Sequence, residues 1–521
     1  MPQKIATGPL FSFQDRKNYR RFRQILQDIG FTEQAILDAL NLEDLSSAGE
    51  KDIALLLKRT ERELPLHTLI RLFLIENPCP VQNVRKALKP LTIETLAEAD
   101  LIHIDGSNVY GQVKLLPFKG LVIAFDQPRM LLTDQAPEYV MGIGSSTITL
   151  ANLTIRKPVQ EALDLGTGCG IQALLAGHHA EQVRATDQNP RAVRLADFND
   201  RLNGMDHINC RQGDLFEPVR NQRFDLIVTN PPFVISPENR YIYRDGGMTG
   251  DELVRKIAGQ APDYLSDGGF CHILCNWAEK ADQDWKERLQ SWFEDTPCDV
   301  WVMRSETRDA ATYASTWIRH TEKKAVDDFA RRFEEWTNYY DRQSIRSIGA
   351  GIITLRKSSG RSVWFRAEDG PERMIGPCGE DIATGFALQD YLKSIPRDID
   401  LMQAVLQVSP KTRLDRESIP TDQGWMDQAF HLRLSEGLAY SANADPIVAN
   451  LLVKCNGRTP LNNLVHQAAD ALNEPVEKLT SPLCKIVRSL IAQGFLIPIH
   501  LAQKNASAES SNGRTRDTTT S

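Results

Sequence analysis

The run Asn230-Pro231-Pro232-Phe233 follows the apolar segment Phe224–Thr229 and sets a side-chain amide and an aromatic ring on either side of two prolines. Prolines fix the backbone and carry no N–H, so carbonyl acceptors are left without neighbouring donors. The Asn230 side-chain oxygen and the Pro231 carbonyl can each accept from one hydrogen of a planar NH2 group, with Phe233 stacked on its plane. Such an arrangement localises the lone pair of a delocalised, weakly nucleophilic nitrogen and directs it at an electrophilic methyl group. Taken alone, the run also fits a turn with no chemistry.

Upstream, Asp164-Leu165-Gly166-Thr167-Gly168-Cys169-Gly170 ends one apolar stretch and opens another. Glycines let a backbone approach a ligand closely, and a helix starting there presents unpaired amides. A dinucleotide fingerprint needs its third glycine three residues after the second. Position 171 is Ile and the glycine comes one residue early, which disfavours NAD or FAD. Asp187 ends Val183–Asp187, where a carboxylate can accept from both hydroxyls of a ribose. Asp214 can accept from an exocyclic amine while the Leu215 amide donates to a ring nitrogen. Singly, the glycines fit a structural tight turn and each aspartate fits a helix cap. Together they fit an adenosine.

These segments need a scaffold that brings them to one edge. From Glu161 to about Lys357 the pattern predicts strands at 162–165, 183–186, 208–212, 224–229, 269–275, 299–304 and 352–356, alternating with helices. That alternation means an α/β fold with a parallel sheet and a ligand site at the carboxyl ends of its strands. A long insertion, 305–348, precedes the last strand; its Phe329, Phe333, Trp336 and Tyr340 fall at helical spacing, as a packing stripe does, with a lid over the site as the sharper reading. Before the sheet, 16–99 reads as helices, followed by a strand at 101–105, a Gly-Ser turn and a strand near 112–116, a winged-helix pattern. A second such pattern covers 447–499. The expected division is a winged-helix-like helical domain at 1–128 and the catalytic domain at 129–357, then a β-rich segment at 358–440, a winged-helix-like domain at 441–500 and a disordered tail at 501–521.

With these motifs in place, the stretch from about Gly142 to Lys357 resembles a class I S-adenosylmethionine-dependent methyltransferase of the N-P-P-[FY] kind, the small-domain family. The likeness covers about two fifths of the chain. It implies a Rossmann-like seven-stranded sheet and S-adenosyl-L-methionine as cofactor. Carried over residue by residue, it places Asp164, Gly166, Thr167, Gly168 and Gly170 on the cofactor's backbone-facing side, Asp187 at its ribose, and Asp214 and Leu215 at its adenine. Asn230, Pro231, Pro232 and Phe233 fall at the target nitrogen. Gly142–Thr147 is similar to the segment closing over the methionine end, which adds Thr147. Tyr243–Glu252 occupies the substrate-facing loop.

Composition narrows the partners. The 521 residues are 41% hydrophobic and 25% charged, with 61 Lys and Arg against 68 Asp and Glu, which excludes wholesale disorder and a uniformly basic surface. No apolar run is long enough to span a bilayer and the first residues lack a signal-type core, so a cytoplasmic setting is expected. The nine cysteines form no CxxC pair, so reduced thiols and no metal are expected. A pyrimidine-carbon methyltransferase needs a cysteine nucleophile where this chain has Pro-Pro-Phe. Two winged-helix patterns and the Phe form of the motif, which in the family resembles ribosomal-RNA base methyltransferases, favour a nucleobase amine in RNA or DNA over a protein. The alternative is a protein glutamine, typically in a release factor, whose amide presents the same two hydrogens; the acidic balance supports it, the cluster Arg16, Lys17, Arg20, Arg21 and Arg23 reading as a solvated helix face. A small-molecule acceptor, or a scaffold that only binds, complete the readings.

Overall fold

The computed structural model describes residues 11–44, 52–238, 240–321 and 326–503; the tail expected at 501–521 lies almost wholly outside them. Contacts divide the chain into two compact units, one of residues up to Ala151 with Lys157–Glu368, the other of Asn152–Arg156 with residues from Asp369 onward.

In the first unit an eight-stranded sheet carries the motifs. Its strands are β1 Val159–Leu165, β2 Ala180–Asp187, β3 Ile208–Gln212, β4 Phe224–Thr229, β5 Leu265–Lys280, β6 Cys298–Asp309, β7 Ile345–Lys357 and β8 Phe365–Asp369. They lie in the order β8-β6-β7-β5-β4-β1-β2-β3. All seven expected strands are present, and β8 adds an edge beside β6. β1 to β5 pair in parallel. β7 runs antiparallel to both β5 and β6, which corrects the expectation of a parallel sheet. The cause lies in the insertion. Helices α5 Ala310–Thr321 and α6 Val326–Arg342 form a hairpin that returns the chain to the end of the sheet it left, so β7 must come back beside β6 in the opposite direction.

The chain leaves β1 toward β2 and β3, then crosses to the other side of β1 for β4. Between strands of that order a crevice opens beyond their carboxyl ends. Apolar burial fixes this edge. One face packs Leu163, Leu165, Ile227 and Ile273 against Val254, Ile257 and Ala261 of α4, Glu252–Tyr264. The other packs Ala162, Ala185, Leu226 and Val228 against Ala173 and Ala176 of α2, Ile171–Ala176. Each large aliphatic chain so buried contributes roughly 1.5–3 kcal/mol. Helix α3, Pro190–Asn203, starts at an Asn189 cap with Pro190 in its first turn and stops at Gly204, whose φ is +69°.

The N-terminal part has helices at Lys17–Ile29, Glu33–Leu40, Ile53–Arg59, Pro65–Phe73, Val81–Ala87 and Ile93–Glu98. Its hairpin differs from expectation: Ile102–Asp105 pairs with Asn108–Gly111, while Val113–Phe118 pairs with Leu121–Asp126. Gly106, at φ +56°, closes the first pair with Ser107 as a two-residue turn, leaving the next segment to form a hairpin of its own. Of the basic cluster, Arg23 caps α3, its Nε donating to the Leu202 carbonyl at 2.6 Å.

In the second unit the segment expected to be β-rich does carry the long hairpin Thr412–Thr421 with Gly424–Leu434, yet it also holds a helix, Gly379–Ser394. Helices Pro446–Lys454, Leu461–Leu472 and Val476–Ala492 follow, and the strand Leu496–Pro498 pairs with Val405–Val408. Among the described residues no helix is long and apolar enough to cross a membrane.

Candidate active site

The crevice at the carboxyl ends of β1 and β4 has a volume of about 500 Å³ and draws its lining from the first unit. It gathers Asp164, Gly166, Thr167, Gly168, Asp187, Asp214, Leu215, Thr147 and the whole of Asn230–Phe233. The size suits a single cofactor-sized molecule with its acceptor group.

The glycine turn leaves β1 with Gly166 at φ +73° and Gly168 at φ +54°. A Cβ placed on either would meet no atom within 4 Å, so the backbone there faces open space. The Gly166 and Thr167 amides donate to the Thr186 carbonyl of β2 at 2.8 and 2.9 Å, which locks the turn to the neighbouring strand. Asp187 completes the lock: its two oxygens accept from the Gly168 amide at 2.9 Å and the Asn189 amide at 2.8 Å. Burial raises its carboxyl above the usual range. A carboxylate has lone pairs beyond those two bonds, so Asp187 can still accept from a ligand's hydroxyls.

Asp164 is organised inward. Its Oδ2 accepts from the Thr167 hydroxyl at 2.6 Å and the Ala173 amide at 2.9 Å, and burial pushes the group up to about 7. It therefore shapes the turn and the start of α2. Gly170 does not line the crevice. It sits at φ +84° at the head of α2, where a Cβ would come within 3.0 Å of the Ala196 Cβ on α3, so its lack of a side chain serves close helix packing. Asp214 stands exposed on the rim, 3.9 Å from the Lys256 ammonium, and Leu215 beside it holds φ +44°.

Beyond β4 the Thr229 hydroxyl donates to the Leu165 carbonyl at 2.8 Å, tying the strand end to β1 before the chain enters the two prolines. The Asn230 Nδ2 then donates to the Ser146 hydroxyl at 3.4 Å. Its Oδ1 is buried and has no hydrogen-bond partner. Burying an amide oxygen unpaired costs about 1–3 kcal/mol, and such an atom at a crevice is an acceptor awaiting a donor. Phe233 is half-buried among the residues that pack under β5 and the insertion.

Sequence reasoning missed Ser146. It opens α1, Ser145–Leu153, whose Thr147 carbonyl accepts from the Gln172 side chain at 2.9 Å, so α1 and α2 are fastened beside the turn. It also missed the walls Tyr139 and Trp317; Tyr139 meets Tyr243, the first residue of the expected substrate-facing loop, edge-on at 5.3 Å. Asp251, within that loop, accepts from the Ala278 amide and the Arg288 guanidinium, both at 2.8 Å. Cys169 lines the crevice, with its thiol pushed up by burial to about 12, which disqualifies it as a nucleophile near neutral pH. Among the described residues no cluster of three His, Cys, Asp or Glu is placed to hold a metal ion.

Residues 143–296 match the family model described as a methyltransferase small domain. Residues 28–112 and 383–498 match two models described as domains of unknown function. Three relatives each match part of the chain. A ribosomal protein uL3 glutamine methyltransferase of Bradyrhizobium diazoefficiens is 34% identical over 165 residues, 28% of this chain and 52% of its own. A release factor glutamine methyltransferase of Geobacter sulfurreducens is 40% identical over 125 residues, 21% of this chain and 43% of its own. A Methanocaldococcus jannaschii protein, provisionally named a protein N5-glutamine methyltransferase, is 34% identical over 145 residues, 26% of this chain and 72% of its own. The chain thus spans about half the length of the first two. These relatives are named for glutamine in proteins, which overturns the expectation that RNA or DNA is favoured over a protein as partner.

Proposed function

Since the chain belongs to the small-domain family of S-adenosylmethionine-dependent methyltransferases, we propose that it methylates the side-chain amide nitrogen of a glutamine in a protein substrate. The observation that carries this reading is the buried, unpaired Asn230 Oδ1 beside a backbone stripped of donors. A primary amide offers two coplanar hydrogens, and the Asn230 oxygen and the Pro231 carbonyl take one each. With both N–H bonds engaged, the amide is held square to Phe233 and its nitrogen lone pair is freed from the carbonyl. Ser146 accepts from the Asn230 Nδ2 at 3.4 Å, the arrangement in which the Oδ1 is left for the substrate.

The open faces at Gly166 and Gly168 fit a ligand that the backbone must approach closely. When bound there, S-adenosylmethionine supplies an electrophilic methyl. Asp187 holds the ribose hydroxyls, Asp214 and the Leu215 amide read the adenine, and Thr147 stands over the methionine end. Asp187→Ala is expected to weaken binding of the cofactor by roughly 2–4 kcal/mol, since two charge-assisted hydrogen bonds go and the Gly168 amide loses its acceptor. Isothermal calorimetry reads this directly, and wild-type affinity would remove Asp187 from the site.

The segments 1–128 and 441–500 are proposed as winged-helix-like modules that hold the protein substrate; the matches at 28–112 and 383–498 are to domains of unknown function. Nine free cysteines suit a reducing, cytoplasmic setting. The substrate class is tested by incubating the full chain and tritiated S-adenosylmethionine with an extract of cells that lack it. Protease should release the label, as N5-methylglutamine after exhaustive enzymatic digestion or as methylamine after acid hydrolysis, and ribonuclease should not. Label released by ribonuclease would refute the reading.

A further inference from the structure

The segment between Phe233 and α4 supplies Val234, Ile242, Tyr243 and Met248 to the crevice, yet among its described residues there is no helix or strand beyond a single bridge from Val234 to Asp245. Its internal bonds close it on itself. The buried Asp245 accepts from the Arg240 and Tyr241 amides at 2.9 and 3.0 Å and pairs with Arg244 at 2.7 Å. These bonds are internal to the segment; outside it, Asp251 accepts from the Ala278 amide of β5 at 2.8 Å and the Ile242 amide donates to the Pro137 carbonyl at 3.3 Å, both well along the chain from Phe233.

The fastenings next to Phe233 come from the helical insertion. The Ile235 amide donates to the Tyr313 hydroxyl of α5 at 3.3 Å, and the Ile235 carbonyl accepts from the Tyr340 hydroxyl of α6 at 2.8 Å. One peptide residue, two positions after Phe233, is thereby gripped at both its donor and its acceptor. Tyr313 is in turn anchored to β5, whose Asn276 Nδ2 donates to the same hydroxyl at 2.8 Å. Farther along, Glu238 Oε1 accepts from the Trp336 indole and from Arg332, each at 3.1 Å. At the far end the Gly250 amide donates to the Tyr339 hydroxyl at 2.8 Å. Tyr340 and Trp336 are 1% and 0% exposed, so their rings have no other rotamer to take within the packed hairpin. The helical stripe is a packing stripe, and its polar tips all end on the acceptor segment.

We infer that the α5–α6 insertion is the positioning element of the acceptor site, with Tyr313 and Tyr340 as positioning residues that hold Ile235 and through it set Phe233 against the target amide. The inference rests on the reading of the crevice as the site of glutamine methylation. Rigid aromatic side chains with two torsions each hold a loop at low entropic cost, and a shift of about 1 Å at a reacting centre can cost about a hundredfold in rate.

The test uses the full chain with Tyr313→Phe, Tyr340→Phe and the double variant, which keep the rings and remove only the hydroxyls. In the double variant, amide hydrogen exchange over 234–238 should quicken by at least about tenfold while the strands β1 and β4 keep their protection. S-adenosylmethionine affinity should stay within about twofold, and kcat on the protein labelled in the extract experiment should fall about tenfold or more with a smaller change in KM. Unchanged exchange at 234–238, or cofactor affinity falling in step with kcat, would overturn the inference. If the double variant does not fold, the single variants are judged by the same readings. A label that ribonuclease releases would sink the glutamine reading, whereas the exchange and cofactor readings still decide the role of the tyrosines.

Discussion

Asn230→Ala should bind S-adenosylmethionine within about twofold of the parent protein and lose at least nine tenths of its methyl transfer, a loss of about 1.4 kcal/mol or more in the transition state. The separation follows from where the side chain is spent. Its Nδ2 reaches Ser146 and its Oδ1 reaches nothing, so no observed bond ties it to the glycine turn or to Asp187. An acceptor left open in the resting protein and filled when the amide arrives strengthens as the nitrogen gives up its lone pair, and that is differential stabilisation. Ser146→Ala is expected to fall between, because the oxygen remains but the amide can rotate away. Tritium transfer into the protein fraction measures both variants, with calorimetry in parallel. An Asn230→Ala protein retaining more than about a tenth of the activity would show that the nitrogen is activated elsewhere.

The parts legible in the sequence are those whose residue types constrain the backbone locally. Pro231 and Pro232 remove donors whatever surrounds them, and Gly166 and Gly168 permit positive φ without reference to a neighbour. Strands buried on both faces announce themselves as apolar runs, which is why β4 and the centre of β5 fall where expected. What stayed hidden depends on contacts distant in the chain. Ser146 meets Asn230 across 84 residues, and Tyr313 and Tyr340 meet Ile235 across 78 and 105. The direction of β7 was concealed for a similar reason, since an alternating pattern does not say which end of the sheet a helical hairpin returns to. The helix Gly379–Ser394 was masked by two glycines and the lack of an apolar stripe.

The preference for a nucleic acid failed on a different ground. A phenyl ring offers the same face to a nucleobase amine and to a carboxamide, and Asn-Pro-Pro offers both the same two acceptors. Nothing in the motif's chemistry distinguishes the two, and a winged-helix pattern is equally able to hold a protein. The relatives at 34% and 40% identity are named for protein glutamine, and that is why the protein reading is the one proposed.

Gly168→Val should abolish cofactor binding while leaving the fold largely intact. The position faces the crevice: φ is +54° and a Cβ there would touch nothing within 4 Å, so the protein itself has room for a side chain. That room is the space a ligand must enter, and a branched side chain fills it. Valine also resists the left-handed region, at a cost of roughly 1–2 kcal/mol, which loosens the bond from the Gly168 amide to Asp187. Strain and occlusion are separated by Gly168→Ala, which carries a similar backbone penalty with a single carbon in the cleft and should weaken binding only in part. Gly170→Ala provides the opposite control. Its added carbon would meet Ala196 at 3.0 Å rather than the crevice, so thermal stability should fall more than affinity per folded molecule. Calorimetric titration with S-adenosylmethionine, alongside thermal unfolding of each variant, tests the set. A folded Gly168→Val protein that titrates with the parent affinity would mean the cofactor does not lie against this turn.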